Sequence, residues 1–271
     1  MKLTLQEINT FQVFIWDFYQ QNGRSFAWRN VESPYWVVVS EIMLQQTQTY
    51  RVEPKFEQFI AEFSDFQALA NASLRDILSV WQGLGYNRRA LYLYQSAQKI
   101  MQEYNGNLPQ DPSILETFPG IGKATARSIC AFAFNIPAVF IETNIRTVFI
   151  HTFFSEKKDV SDAIIMPLVE ITVDKTNPRE WYYAIMDYGV YLKKNYNNPS
   201  RKSRHHVIQS KFEGSDRQIR GAIIRLLTGK EMKEQEIINE LQKEANRIGS
   251  ILQQLCKEEL IKKKNDYFCI S

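Results

Sequence analysis

Apolar positions recur at helical spacing through most of the chain. Ile8, Phe11, Phe14, Ile15 and Phe18 fall on one face of a 3.6-residue period, and Ile77, Leu78, Val80 and Trp81 mark a second such face. Strand-like alternation is almost absent before the C-terminal segment. Glycine and proline punctuation at 33–34, 106–109, 119–122, 177–178 and 198–199 cuts the pattern into short pieces. The pattern predicts a mainly α architecture with roughly ten helices up to about residue 210.

The texture changes after Phe212-Glu213-Gly214. Ser215 or Asp216 is placed to cap a helix that runs through Ile219, Ile223, Ile224 and Leu227 to Gly229. Amphipathic segments follow at 234–241 and 245–260, and Tyr267-Phe268-Cys269-Ile270 reads as a strand. Three helices closed by a strand or hairpin fit a small winged-helix-like module over 213–271. The same pattern also fits a helical extension packed on the main domain. There is no internal repeat and no low-complexity tract.

With 271 residues, 44% of them hydrophobic, the chain can bury a sizeable core, enough for one full domain and a small second one. The longest apolar runs, at 36–39 and 129–134, fall well short of the roughly 20 residues a membrane span needs, so a cytoplasmic location is expected. A net charge of +3 and a pI near 8.6 permit a polyanionic partner without requiring one. Distribution says more: Lys193, Lys194, Arg201, Lys202, Arg204, His205 and His206 cluster, and Lys262, Lys263 and Lys264 form a second run. Either cluster also fits a solvated face. Three scattered cysteines, Cys130, Cys256 and Cys269, exclude a disulfide framework or a four-cysteine metal site within these residues.

The strongest local signal is Phe118-Pro119-Gly120-Ile121-Gly122-Lys123, between a helix expected at about 113–117 and one expected at 125–134. Two glycines two apart allow a tight turn whose amides face outward at a helix N-terminus, where an anion such as a phosphate is stabilised. A purely structural helix-helix turn needs similar residues. Twenty residues past Gly122, the apolar run Ala138-Val139-Phe140-Ile141 delivers Glu142, followed by Thr143-Asn144-Ile145-Arg146. A carboxylate at the end of an apolar run is costly unless it is paired or used.

Together these features resemble the helix-hairpin-helix DNA glycosylase signature. Ser40-Glu41-Ile42-Met43-Leu44-Gln45-Gln46-Thr47-Gln48 resembles the motif that marks the MutY-like adenine glycosylases within that superfamily. So do Trp81-Gln82-Gly83-Leu84-Gly85-Tyr86 and Ala27-Trp28-Arg29. The resemblance implies a two-lobed glycosylase domain over 1–212, with a six-helix barrel at about 30–136 inserted between the N-terminal and 137–212 helices. It implies that a base is flipped out of duplex DNA and its N-glycosidic bond hydrolysed, because that bond cannot be reached inside the stack.

Loss of a purine passes through an oxocarbenium-like sugar, a problem suited to two carboxyl groups in different environments. By resemblance, Glu41 is the acid that protonates adenine and Glu142 the carboxylate that stabilises the sugar cation. Either could instead be structural, Glu41 as a helix-surface residue and Glu142 as a salt-bridged acid. DNA contacts are expected from Gln45, Gln46 and Thr47 at the flipped base and its orphan partner, and from Leu84 and Tyr86 as wedges. The hairpin residues Gly120, Gly122, Lys123 and Thr125, together with Asn144, Arg201 and Lys202, are expected on the phosphate backbone.

Four departures qualify the resemblance. Glu142 stands where the superfamily nearly always has aspartate, a reach longer by about 1.5 Å. Ala124 occupies the place of the Schiff-base lysine of bifunctional relatives, so strand cleavage is not expected. The segment 193–204 stands where most relatives carry an iron–sulfur loop, so no cofactor is expected, and basic and turn-forming residues take over at the backbone. The residues after 212 are too few for the Nudix-like domain that reads 8-oxoguanine in full-length relatives. Arg217, Arg220 or Arg247 of the small module could bind duplex DNA instead.

The expected partner is double-stranded DNA holding a mispaired or damaged base, met by a monomer. A thymine or uracil mismatch glycosylase shares this scaffold, though the acid Glu41 favours a purine. A non-catalytic DNA-binding protein would also explain Glu142 and Ala124.

Overall fold

The computed structural model describes residues 2–29, 33–209 and 211–271. The expected barrel boundary near residue 30 lies outside the described residues. The chain divides into two compact units, one of residues 1–38, 110–117 and 121–208 and one of residues 39–109, 118–120 and 209–271.

The first unit begins with α1 (Leu5–Asn22), started by a reciprocal cap in which the Glu7 amide donates to Thr4 Oγ1 and the Thr4 amide donates to Glu7 Oε2 at 2.7 Å. The unit continues with α7 (Pro112–Leu115), α8 (Lys123–Phe134), α9 (Thr143–Phe153), α10 (Asp162–Thr172), α11 (Pro178–Asn195) and a 3₁₀ turn (Pro199–Lys202). Its core joins Phe11 and Ile15 of α1 to Phe149 of α9 and Trp181 of α11, with the aromatic rings meeting edge to face. Asp187 of α11, almost wholly buried, accepts from Arg29 Nη1 and Nη2 at 2.8 Å each and from the Arg24 amide at 2.7 Å. Arg24 and Arg29, the latter of the Ala-Trp-Arg motif, thus pin residues 24–29, which precede α2 (Pro34–Leu44) in the chain, to α11.

The expected helices at 113–117 and 125–134 are shifted. Asp111 caps the Ser113 amide at 2.7 Å with Pro112 in the first turn, so α7 starts and ends earlier. Extended Gly122 caps α8, which therefore includes Lys123 and Ala124.

The second unit holds α3 (Thr49–Glu62), α4 (Phe66–Asn71), α5 (Leu74–Trp81) and α6 (Arg88–Tyr104) around fully buried Phe59, Ile77, Leu78 and Trp81. The C-terminal residues belong to the same unit: α12 (Asp216–Gly229) packs on α5, and Gln82 Nε2 donates to Thr228 Oγ1 at 2.9 Å. After α12 come β1 (Met232–Lys233), α13 (Glu234–Leu241), α14 (Ala245–Lys257), β2 (Ile261–Lys264) and β3 (Tyr267–Ile270). The sheet is antiparallel in the order β1-β3-β2, with Met232 opposite Phe268 and Ile261 opposite Ile270. Helix, strand, two helices and a hairpin form a winged-helix arrangement. The lysine run at 262–264 is the solvent-facing edge of that hairpin, which its polar composition hid. The third helix stops at Lys257, short of the expected 260. No helix among the described residues is long and apolar enough to cross a membrane.

Candidate active site and DNA interface

The hairpin depends on its glycines for different reasons. Gly120 has φ +71°, and a Cβ there would lie 2.5 Å from Tyr92 Cδ2, so only glycine lets the turn sit against α6. Gly122 is extended, and a Cβ there would meet open space; its task is to begin α8 with amides exposed. Phe118 and Ile121 are buried and anchor the turn, while Lys123 is exposed and Thr125 half-buried.

A single residue organises the loops expected to meet DNA in the second unit. Arg89 of α6, 8% exposed, donates through Nη1 to the carbonyls of Ile42, Met43 and Gln45 at 2.9, 2.8 and 2.6 Å. Through Nη2 it donates to Thr47 Oγ1 at 3.0 Å and to the Gly85 carbonyl at 3.2 Å. Its guanidinium also lies 5.4 Å from the Tyr86 ring centroid. The C-terminal carbonyls of α2 have no helical partner, so this cation satisfies them while tying the turn at 45–47 to the loop at 83–86. With no carboxylate among these contacts, burial lowers its pKa to about 10.

Around this knot, Gln45 Nε2 donates to the Gly120 carbonyl at 3.2 Å, joining the turn to the hairpin. Gln46 and Tyr86 are exposed and hold positive φ of 55° and 48°, a cost that side-chain-bearing residues bear only where the surroundings enforce it. Leu84, expected beside Tyr86 as a wedge, is 1% exposed and part of the core. A DNA contact through its side chain requires the 83–86 loop to rearrange, so Tyr86 is the exposed wedge candidate. Glu41 lies on α2 at intermediate exposure, between buried Ser40 and Ile42.

In the first unit, Glu142 is the N-cap of α9. Its Oε1 accepts from the Asn144 amide at 2.7 Å and the Ile145 amide at 2.9 Å. The Asn144 side chain bridges two charges: Nδ2 donates to Glu142 Oε2 at 3.3 Å, and Oδ1 accepts from Lys193 Nζ at 2.7 Å. Burial raises the Glu142 pKa above 4.5, opposed by Lys193, the two amides and Arg146; burial likewise lowers that of Lys193. Arg146 is itself held by Asp162 through two bonds of 2.7 and 2.8 Å. This cluster needs α11 to approach closely: a Cβ on Gly189 would lie 2.5 Å from the Asn144 carbonyl oxygen. Arg89 and Gly189 escaped the sequence reading, their signals a second arginine after Tyr86 and one glycine inside a helix, whereas Lys193, expected with its basic cluster at the DNA backbone, instead donates to Asn144.

The basic segment is folded onto its neighbours. The Val160 amide donates to the Lys202 carbonyl at 2.8 Å and the Arg204 amide to the Val160 carbonyl at 3.0 Å. Lys202 Nζ donates to the Ser155 carbonyl, and Arg204 pairs with Asp159 at 2.6 Å. Arg201 and Lys194 are exposed, whereas Lys193 turns inward to Asn144.

Comparison with known proteins bears on this arrangement. The family model of HhH-GPD superfamily base excision DNA repair proteins matches residues 39–170, from α2 through the hairpin and Glu142 into α10. The chain is similar to this superfamily over that stretch, just under half of its length. An adenine DNA glycosylase of Buchnera aphidicola subsp. Baizongia pistaciae is 33% identical over 66% of this chain and 51% of its own length. One of Mycobacterium tuberculosis is 39% identical over 48% of this chain and 43% of its own. The chain thus spans about half the length of the curated relatives it matches. Among solved structures, a thermostable thymine-DNA glycosylase superposes with TM-score 0.60 at 22% identity, over 68% of this chain and 86% of its own. An endonuclease III–DNA complex superposes with TM-score 0.59 at 17% identity, over 70% and 86–87% of the respective chains being covered by it and a second, covalent complex. The chain shares the mainly helical fold of these neighbours.

Proposed function

We propose that the chain is a monofunctional adenine DNA glycosylase acting on mispaired DNA. The observation that carries the reading is Glu142: a partly buried carboxylate aligned by backbone amides, twenty residues past a hairpin suited to a phosphate, in a chain similar to adenine DNA glycosylases. Glu41, as an acid, gives its proton to a ring nitrogen of the flipped adenine, and the glycosidic electron pair leaves with the base. The Glu142 carboxylate stabilises the cationic sugar until water adds at the anomeric carbon and gives its proton to the Glu41 carboxylate left by the first step, restoring the acid and leaving an abasic site. The hairpin amides and Lys123 hold the backbone phosphate, and Tyr86 and Gln46 occupy the opened stack.

Ala124 offers no amine at the start of α8, so no Schiff base forms and the strand stays intact. The donor set does not fit the [4Fe–4S] cluster found in many superfamily members, which takes four thiolates. The chain has three cysteines, none of them in 193–204, and Cys130 is buried with Sγ against the Gln110 carbonyl at 3.2 Å. The segment at 193–206 is held by its bridge to Val160 and reaches Asn144 through Lys193.

Single-turnover reactions on duplexes with A opposite 8-oxoguanine, A opposite G, and T or U opposite G test the reading. Adenine release, with strand breaks seen only after alkali and no covalent complex trapped by borohydride, is expected. Release of T or U would assign the pyrimidine mismatch activity instead, and no release from any duplex would leave a DNA-binding protein.

A further inference from the structure

Two residues one helical turn apart on α11 meet the same asparagine of the first unit. Gly189 leaves room for it, since a Cβ there would lie 2.5 Å from the Asn144 carbonyl oxygen and 2.8 Å from the Asn144 Cβ. Four residues on, Lys193 Nζ donates to Asn144 Oδ1 at 2.7 Å. The other end of that side-chain amide, Nδ2, donates to Glu142 Oε2 at 3.3 Å, while the backbone amides of Asn144 and Ile145 hold Oε1. The neighbouring cations are committed elsewhere: Arg146 of α9 to Asp162 of α10, and Lys202 of the 3₁₀ turn to the Ser155 carbonyl. Lys194, next in the chain, is exposed.

We propose that Lys193 is a positioning residue for Glu142: it fixes the Asn144 side chain in the orientation that grips the carboxylate, and it supplies the charge that favours the carboxylate's ionised form. This rests on the role given to Glu142 in the glycosylase reading above. Three observations carry it. An ammonium only donates and an ionised carboxylate only accepts, so an asparagine between them has a single workable orientation, Oδ1 to Lys193 and Nδ2 to Glu142. Without the ammonium, the amide would be free to turn its oxygen toward the carboxylate. Glutamate has one more rotatable bond than aspartate, so a grip on both of its oxygens does more to aim it. Burial pushes the Glu142 carboxyl up, and Lys193 is the largest influence in the opposite direction, ahead of the two amides and Arg146.

Lys193→Met and Lys193→Gln remove the charge, Lys193→Arg keeps it, and Lys194→Met is the exposed control. Single-turnover excision of adenine is measured against pH, and duplex affinity at several salt concentrations. Removing a cation raises the pH at which Glu142 ionises. The proposal therefore expects both neutral variants to move the acid limb of the rate to higher pH. They should run about tenfold slower on its acid side and recover as pH rises, with duplex affinity within about twofold of the wild type. Lys193→Arg and Lys194→Met should keep the wild-type limb. A loss of rate equal at every pH, with the limb in place, would make Lys193 a structural tie and overturn the proposal. Weaker duplex binding with a salt slope reduced by about 1 would make it a phosphate contact and overturn it as well. A second readout needs no catalysis. In free protein carrying carbon-13-labelled glutamate side chains, the signal that Glu142→Gln removes reports the Glu142 titration, which both neutral variants should move upward; an unmoved titration overturns the proposal. If the wild type releases no base from any duplex, the glycosylase reading fails while this titration still decides the role of Lys193.

Discussion

A partly buried carboxylate and a buried arginine hold the two sets of candidate loops, and they are solvated in opposite ways. Glu142 sits at the N-terminus of α9 and takes hydrogen bonds from backbone amides; Arg89 reaches the C-terminus of α2 and gives hydrogen bonds to backbone carbonyls. Both match the helix dipole. They differ in their neighbours. The Glu142 carboxylate has a cation nearby, Lys193 through Asn144, and lies at a motif position where chemistry is expected. The contacts of Arg89 are carbonyls, a hydroxyl and aromatic rings, so its charge shapes loops and meets no counter-ion among those contacts. The same electrostatic device holds the carboxylate proposed to react in one unit and a positioning arginine in the other.

If that contrast is right, removing Arg89 should cost the most. Arg89→Met strips the donor from several carbonyls at once, and we expect a loss of about 3–5 kcal/mol in unfolding free energy, or about 10 °C in Tm. Arg89→Lys should recover only part, because three donors on one nitrogen cannot span the fork's targets. Thermal melts of both variants check this; a Met variant as stable as wild type would remove Arg89 from its organising place.

A smaller effect is expected from Gly189→Ala, whose methyl group would press on the Asn144 carbonyl. We expect a cost of about 1–3 kcal/mol, with the excision rate falling more than duplex affinity, because the displaced group is the loop that aims Glu142. Equal falls in rate and affinity would mean general loosening.

The smallest effect concerns pH. Burial raises the folded pKa of Glu142 above its unfolded value of 4.5, so its favourable linkage is present below 4.5 and lost as pH rises through the folded pKa. Comparing Tm for wild type and Glu142→Gln from pH 4 upward should show the variant gaining on the wild type over that window. The same titration should set an acid limb above pH 4.5 in the wild-type rate.

How far the sequence reveals this molecule follows from the range of each interaction. The helical class, the hairpin and Glu142 are local: glycine spacing and an apolar run ending in a carboxylate are read within a few residues. The winged-helix hairpin is half visible, since Tyr267–Ile270 is a short apolar run of strand-forming residues while the lysine-rich β2 is not. Arg89 and Asp187 gain most of their meaning from partners 42–47 and 158–163 residues away, and Lys193, legible as part of a basic cluster, gains its link to Glu142 from a partner 49 residues away. Leu84 shows the converse. A motif position suggested a surface wedge, and packing placed that side chain inside.

The central claim is that Glu142 acts on the substrate as a charge and does not merely cap α9. Glu142→Gln separates the two, because the amide oxygen can still accept from the Asn144 and Ile145 amides while the negative charge is gone. Single-turnover excision of adenine and Tm should be measured on the same preparation. The account predicts a rate lower by about 100-fold or more, with Tm within about 3 °C of the wild type at neutral pH. A variant that keeps the wild-type rate would contradict it and leave Glu142 a helix cap.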